Sequence, residues 1–267
     1  MILYAFYNAL LILAALHKYE TSLGFVDDSM FLAIGNSLTE AHVIVKNMME
    51  HPGGGFDWSI SHNSLFELSK LALMNFPHSQ HDVIPAGLSI SRHNINGSVT
   101  AKSVKTVSTY KYLGVVFDSK LHWTAHFQKV IASSTWWSFQ VSHLSKVSGG
   151  MPPSCIHQLY NTVAVPAFTY GADVWYTGIH SSSTGKKCLG SIAVTKKLVS
   201  VQRRASKLIT GSLSTATGDV LDAHANLLPI DLLFNKVLFQ AAICIASLPP
   251  THPLHSPACK AAAQSVK

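Results

Sequence analysis

The stretch GFVDDSMFLAIG, from Gly24 to Gly35, places two adjacent carboxylates between two apolar runs. The runs LGFVDD and SMFLAIG predict two short strands joined at the aspartates. A turn at a sheet edge can present a carboxylate to Mg²⁺, which prefers oxygen ligands. Aspartate is also a common turn residue. Asp27 and Asp28 alone therefore leave a metal site and a plain turn both open.

The segments on either side of this hairpin predict helices. Residues 1–18 are apolar nearly all round, which is typical of a buried helix. After the hairpin, Ser37 and Glu40 have the spacing of a capping box, so a helix is expected to begin there. HPGGG, from His51 to Gly55, is expected to end that helix.

Further strands are predicted up to about residue 118, which makes this part α+β. LALMNF, residues 71–76, is an apolar run typical of a buried strand. YKYLGVVFD, residues 110–118, is rich in β-branched and aromatic residues and is the strongest strand candidate. Residues 77–108 are rich in Pro, Ser, Asn, Gly and Thr, which predicts loop with at most one weak strand at Leu88–Ile90.

After residue 118 the apolar period becomes helical. One long amphipathic helix is predicted from the spacing of Trp123, Phe127, Val130, Ser134, Trp137, Val141 and Leu144. A second helix follows Pro153 and is expected to bend at Pro166. Residues 178–190 are a Gly/Ser/Lys-rich linker. A third helix ends at Gly211, and one or two more are interrupted at Pro229.

The charge distribution favours a polyanionic partner. The net charge is +7, yet residues 1–60 hold two basic and six acidic side chains, a net of −4, whereas residues 61–267 carry +11. An acidic head beside a long basic body is typical of a chain that handles nucleic acid. A basic globular protein with solvated lysines remains the alternative.

The cysteines and the N-terminal run indicate an intracellular protein, nuclear or cytoplasmic and not secreted. Four cysteines form no CxxC pair and no short zinc spacing, so we expect reduced thiols. The run MILYAFYNALLILAALHKYE has no basic segment before it and no convincing cleavage site. Tyr4, Tyr7 and Asn8 interrupt it, so no membrane span is expected.

Several motifs, taken in order, resemble one family. FVDD in a hairpin, then DWSISHNSLFELSKLALMNF and YKYLGVVFDSKLHW, are similar to the palm of reverse transcriptases from fungal non-LTR (LINE-type) retrotransposons. VAVPAFTYGADVWY and VQRRASKLITGSLSTATGDVLDAHANLLPIDLL resemble the region that follows the palm. The similarity runs from about residue 1 to near the C-terminus. An unrelated helical domain whose motifs match by accident is the disfavoured alternative.

The resemblance implies an α+β fold, a partial palm followed by an all-helical thumb and connection. The implied parts are a partial palm at 1–118, thumb-like helices at 119–185, a helical connection at 186–248 and a disordered tail at 249–267. The implied activity is that of an RNA-directed DNA polymerase. Its partners in the intact parent would be an RNA template and a DNA primer.

The resemblance also implies roles for individual residues. Phe25–Asp28 matches the family's hairpin motif, which makes Asp27 a catalytic metal ligand for Mg²⁺ and Asp28 its supporting neighbour. Lys70 falls on the following motif, where a lysine assists the departing pyrophosphate. The alternative for Lys70 is an exposed strand-edge lysine. The primer-grip hairpin of the family falls on Tyr112, Leu113 and Gly114.

The family's second catalytic aspartate is expected upstream of this chain. It lies on an earlier strand, before a QGSP-like loop, whereas MILYAFYNA resembles the helix that follows the loop. No carboxylate precedes Glu20, which we expect at the end of the first helix. Two-ion nucleotidyl transfer needs carboxylates from both places. Mg²⁺ is thus implied for the intact parent, and this chain is expected to be an inactive, truncated copy.

A basic helix offers a function that needs no catalysis. Phosphate contacts from such a helix give weak, salt-dependent and sequence-tolerant binding. This favours a non-enzymatic nucleic-acid-binding remnant as the second hypothesis, with a solvated helix face as the plain alternative. The basic residues on the non-core faces of the helix are Lys196, Lys197, Arg203, Arg204 and Lys207.

Overall fold

The computed structural model describes residues 17–25, 28–79, 81–93, 97–145, 149–181, 188–252, 254–256 and 258–260. Nearly all of the helix predicted over residues 1–18 lies outside these ranges, as does Asp27. The chain folds into two compact units, residues 1–125 and 126–267. The mixture of helices and small antiparallel sheets confirms the α+β class.

The first unit combines three two-stranded antiparallel sheets with short helices. Its strands are β1 (Glu20–Phe25), β2 (Asp28–Ala33), β3 (Gly87–His93), β4 (Val99–Lys105), β5 (Thr109–Tyr112) and β6 (Val115–Asp118). Its helical elements are α1 (Leu38–Glu50), α2 (Gly55–Ser61) and a 3₁₀ turn (Leu68–Lys70).

The predicted hairpin forms, with β1 and β2 in register from Glu20↔Ala33 to Phe25↔Asp28. Glu20 opens β1 and does not end a helix, so its expected position was wrong. The next helix begins as predicted: Ser37 Oγ accepts a hydrogen bond from Glu40 N at 3.1 Å. Glu40 in turn accepts one from Asn36 N at 2.7 Å, which satisfies another N–H at the helix start.

A small apolar core holds the first unit together. Met49 of α1, Phe56 of α2, Ile90 of β3 and Val104 of β4 are buried in one cluster. Phe31 of β2 packs against this cluster from the hairpin, which fixes one face of β2 to the core. The other partly buried residues that pack against this cluster are Phe66, Leu68, Leu71, Leu73 and Leu88.

One strand prediction in this unit was wrong, and another identified only part of a hairpin. Residues 71–76 were predicted as a strand but form only a single bridge, Leu73 to Thr106. Leu71 and Leu73 pack against the core although the chain there is irregular. The weak strand predicted at Leu88–Ile90 forms as part of β3, which pairs over seven residues with β4, a strand that was predicted as loop. Its serines alternate with Leu88 and Ile90, so polar side chains face outward while few apolar anchors are needed. At Gly87 a Cβ would lie 2.6 Å from the Val104 carbonyl oxygen, so this close pairing requires glycine.

The second unit is mainly helical. Its helices are α3 (Thr124–Leu144), α4 (Pro153–Leu159), α5 (Val165–Thr169), α6 (Ala172–Trp175), α7 (Ile192–Thr210), α8 (Gly218–His224) and α9 (Ile230–Ala246). A two-residue pairing joins β7 (His180–Ser181) to β8 (Cys188–Leu189) within the predicted linker. Gly211 ends α7 in the left-handed region, as predicted, and its N–H bonds to Lys207 O.

The long helix predicted after Pro153 is broken into shorter pieces. A π-helical turn, Tyr160–Ala164, connects α4 to α5, and Val165 N bonds to Tyr160 O across it. This wider turn precedes Pro166, which has no N–H to give to a regular ladder. The real break comes later, at Gly171, whose φ is +62°.

Aromatic side chains form the centre of the second unit. Phe234 of α9 is completely buried and stacks on Tyr176, with ring centroids 4.1 Å apart and planes 8° from parallel. The ring of Trp175 packs edge-on against that of Phe234, with centroids 5.5 Å apart, and the centroid of the Phe168 ring lies 6.2 Å from that of Phe234. Such pairs contribute roughly 0.5–1.5 kcal/mol each beyond the area they bury.

A buried polar network joins three segments of this unit. The Tyr160 hydroxyl donates to Gln202 Oε1 at 2.9 Å. Gln202 Nε2 donates to Asp222 Oδ2 at 2.8 Å and to Leu228 O at 3.2 Å. Ser206 Oγ donates to the other oxygen of Asp222 at 2.7 Å. The network therefore ties α7 to the π-helical turn and to the segment around α8.

Over the residues that the structure covers, no helix is both long and apolar enough to cross a membrane.

Candidate functional site

The aspartate hairpin presents one of its two carboxylates to solvent. Asp28 is exposed at the first position of β2, opposite Phe25. Since side chains alternate along a strand, Asp28 shares a face with Met30, whereas Phe31 points to the core. The carboxylate thus lies on the free face of a hairpin that is anchored on its other face. Asp27 lies outside the described residues.

A second hairpin approaches this carboxylate. Strands β5 and β6 pair from Thr109↔Asp118 to Tyr112↔Val115, so residues 110–118 form a hairpin and not the single strand predicted from composition. Leu113 and Gly114 make its turn, with φ values of +45° and +84°. Positive φ at both central positions is typical of the tight turns that match strand twist.

Tyr112, the last residue of β5, lies within electrostatic reach of the aspartate hairpin. Its burial raises the pKa of the phenol, and the negative charge of Asp28 raises it further. The structure therefore brings together two segments that are more than 80 positions apart in sequence: the β5/β6 hairpin beside its turn and the start of β2.

Lys70 occupies the 3₁₀ turn and not a strand edge. Its ammonium lies 2.7 Å from Glu67 Oε2, and both side chains are largely exposed. The hydrogen bond from Lys70, followed by one from Ser69, lowers the pKa of Glu67. Exposed ion pairs of this kind contribute roughly 0–1 kcal/mol, so a stronger anion would readily draw the lysine away.

The described side chains do not assemble a metal centre by themselves. Within the ranges that the structure describes, no three side chains of His, Cys, Asp or Glu are grouped so that they could hold an ion. Asp28 offers two oxygen ligands at the hairpin, and Mg²⁺ is usually bound by one or two protein carboxylates together with waters and substrate phosphates. A two-ion site would need a further carboxylate at this place.

The five basic residues predicted to bind nucleic acid all lie on α7, but they differ in their surroundings. Lys196 and Lys197 are exposed, and Lys207 is partly covered. Arg203 instead ties the chain after α7 to the helix, with Nη2 donating to Ala216 O at 2.6 Å and to Ser214 O at 3.2 Å.

Arg204 has a different partner set. Its Nη1 donates to Ser138 Oγ at 3.1 Å, and its guanidinium lies over the Phe139 ring at 4.6 Å from the centroid. Arg204 is therefore held against α3. Sequence periodicity overlooked Phe139 and its neighbour Trp136, because neither belongs to the core stripe of α3; large aromatic side chains off that stripe were the available signal.

The net positive charge of the chain comes entirely from the second unit. Residues 126–267 hold twelve basic and four acidic side chains, a net of +8, whereas residues 1–125 hold eight basic and nine acidic, a net of −1. The unit that contains the aspartate hairpin is therefore nearly neutral, whereas the unit that contains the basic helix is strongly basic.

Comparison with known proteins points to retrotransposons. The chain is 24% identical over 158 residues to the "Retrovirus-related Pol polyprotein from type-1 retrotransposable element R1 3" of Nasonia vitripennis. The match covers 59% of this chain and 39% of that polyprotein, so the chain corresponds to well under half of its relative's length. No family model and no solved structure matches the chain. The similarity supports a relationship to the Pol polyproteins of non-LTR retrotransposons.

Proposed function

We propose that this chain is a fragment of an RNA-directed DNA polymerase, the reverse transcriptase of a non-LTR retrotransposon. The observation that carries the proposal is the similarity to an R1 Pol polyprotein. The aspartate hairpin supports it, because a free carboxylate stands at the end of a core-anchored hairpin. In this proposal, residues 1–118 are part of the palm, 119–185 the thumb, 186–248 a connection and 249–267 a tail.

In the intact parent, Asp27 and Asp28 would hold Mg²⁺ together with an aspartate from another strand. The ions would stabilise the attacking and leaving oxygens of nucleotidyl transfer. Lys70 would leave its exposed pair with Glu67 to donate to the departing pyrophosphate. Tyr112, at the end of β5 and near Asp28, would help to place the primer terminus beside the carboxylates.

Primer extension tests this assignment. The 267-residue chain is expected to extend no primer on an RNA template with Mg²⁺ or Mn²⁺, because only one part of the two-ion site is present. Asp27→Asn is the matched variant and should behave identically. Extension by the wild type that disappears in Asp27→Asn would overturn the inactivity while supporting the family.

A longer protein gives the decisive arm of this experiment. Translating the reading frame upstream of Met1 should reveal a QGSP-like loop preceded by an aspartate-bearing strand. A protein that includes this segment should extend primers and lose the activity in Asp27→Asn. Absence of both upstream features, or activity that survives Asp27→Asn, would refute the proposed role.

A second candidate is a non-enzymatic protein that binds RNA or DNA. The net charge of +8 in residues 126–267 and the exposed Lys196 and Lys197 favour it. Binding should weaken steeply between low and physiological salt, since phosphate contacts release counterions. A flat salt response would contradict this candidate, and it would leave the polymerase assignment to the extension assay.

A further inference from the structure

An open groove of about 410 Å³ lies between α3 and α7 in the second unit. Its two large apolar lining residues are Ile131 and Val201, of which Val201 is buried. The groove is lined by Ile131, Thr135, Lys196, Lys197, Ser200, Val201 and Arg204. None of these seven described residues is acidic, and three are cationic. The charge of this lining suits a polyanion.

Two exposed aromatic side chains of α3 lie near the groove: Phe139, whose ring contacts Arg204 of the lining, and Trp136, one turn before Phe139. Trp136 is 62% exposed and Phe139 is 51% exposed, which is unusual for residues of this size on a core helix. Phe139 is four positions from Thr135 of the lining and three positions from Trp136, so on the helix surface Phe139 adjoins both residues and connects Trp136 to the edge of the groove. The side chain of the adjacent Trp137 instead packs against Tyr160, with ring centroids 6.0 Å apart.

Arg204 joins the cationic and aromatic parts into one surface. Its guanidinium is held by Ser138 Oγ and lies on the Phe139 ring, while the residue still lines the groove. A guanidinium has five N–H donors in a fixed fork, so one bond to serine leaves donors for a phosphate. The cation is therefore oriented before any ligand arrives.

We propose that this groove binds single-stranded nucleic acid, with Lys196, Lys197 and Arg204 on consecutive phosphates and Trp136 stacked on a base. Single strands expose the faces of their bases, and binding sites for them combine cations with aromatic platforms. A duplex offers phosphates but keeps its bases stacked inside, so it gains nothing from Trp136. This proposal rests on the nucleic-acid-binding part of the proposed function and specifies the form of the ligand.

Fluorescence anisotropy with labelled oligomers of dT, of rU and of a hairpin duplex tests the proposal on the full chain. The wild type should bind both single strands more tightly than the duplex, and the dT and rU arms show whether the groove prefers DNA or RNA. Trp136→Ala should weaken single-strand binding by at least about fivefold, since stacking contributes that much per base. Its salt dependence should remain unchanged, and Trp136→Phe should retain most of the affinity.

Charge variants test the other half of the site. Lys196→Gln/Lys197→Gln should reduce the slope of log K against log salt by about 1.4, the value for two lost contacts with a single strand. Lys236→Gln/Lys260→Gln removes the same charge from exposed positions outside the groove and should change the slope far less.

The outcomes separate this inference from the broader function. Equal slopes in the two double variants, equal binding of duplex and single strand, or no effect of Trp136→Ala would each overturn the groove while nucleic-acid binding stands. No binding of any oligomer by the wild type would refute the binding function and the groove together. Thermal melting of each variant shows that the fold is retained, as expected for exposed positions.

Discussion

Replacing Gln202 by leucine should strongly destabilise the second unit. Gln202 is 1% exposed and connects Tyr160 with Asp222 and the Leu228 carbonyl. Leucine has nearly the same volume but no polar atoms, so the substitution removes three hydrogen bonds without opening a large cavity. Burial, and then the charge of Asp222, raises the pKa of Tyr160, so its hydroxyl stays protonated and requires an acceptor.

The magnitude follows from the groups that lose their partner. A buried donor or acceptor left without a hydrogen bond costs roughly 1–3 kcal/mol. Tyr160 is also 1% exposed, so water does not replace its lost acceptor. Asp222 keeps Ser206 as a donor, which limits the loss on that side. We expect the free energy of unfolding to fall by about 4 kcal/mol, a large part of a typical domain's stability.

Urea denaturation followed by tryptophan fluorescence measures the change. Gln158→Leu, on the exposed side of α4, is the matched control and should change stability by less than about 0.5 kcal/mol. Adding Tyr160→Phe to Gln202→Leu removes the orphaned hydroxyl and should recover about 1–2 kcal/mol. A loss below about 1 kcal/mol for Gln202→Leu, or no recovery in the double variant, would refute the role of the network.

Two further predictions concern pH and helix capping. Burial, together with the nearby charge of Lys129, lowers the pKa of His126 from 6.5 to about 4. The neutral imidazole therefore contributes its full stabilisation above about pH 6.5, and the free energy of unfolding falls by about 3 kcal/mol as the pH approaches 4. Denaturation of His126→Phe across this range should show a flatter pH dependence, and an unchanged slope would contradict the assignment. Ser37→Ala removes the bond to Glu40 N and should cost about 1 kcal/mol in urea denaturation, whereas a Ser37→Asn variant that is equally destabilised would show that capping is not the cause.

Local sequence patterns predicted much of the chain because their causes are local. The capping pair Ser37 and Glu40 needs only neighbouring backbone N–H groups, and Gly211 needs only the freedom to adopt positive φ. The hairpin β1/β2 could also be predicted from local sequence, because its two apolar runs are separated by turn residues. The family resemblance came from the order of such motifs along the chain.

Predictions failed where distant contacts decided the structure. Residues 71–76 are apolar enough for a strand, yet Leu71 and Leu73 satisfy the core as irregular chain. Of the hairpin β3/β4, only a weak strand at Leu88–Ile90 was predicted, because most of its outward positions are polar. Its inward residues Ile90 and Val104 are buried only together with Met49 of helix α1 and Phe56 of α2.

In the candidate sites, too, some properties follow from sequence and others from tertiary contacts. Sequence by itself determined which residues carry charge: the adjacent aspartates, Lys70 and the five cations of α7. Only the tertiary structure decided how each charge is placed, with Arg203 bonded to its own following loop and Arg204 held on Phe139. The reason is physical: charge is a property of the side chain, whereas availability to a ligand depends on which groups from other elements come within hydrogen-bonding distance.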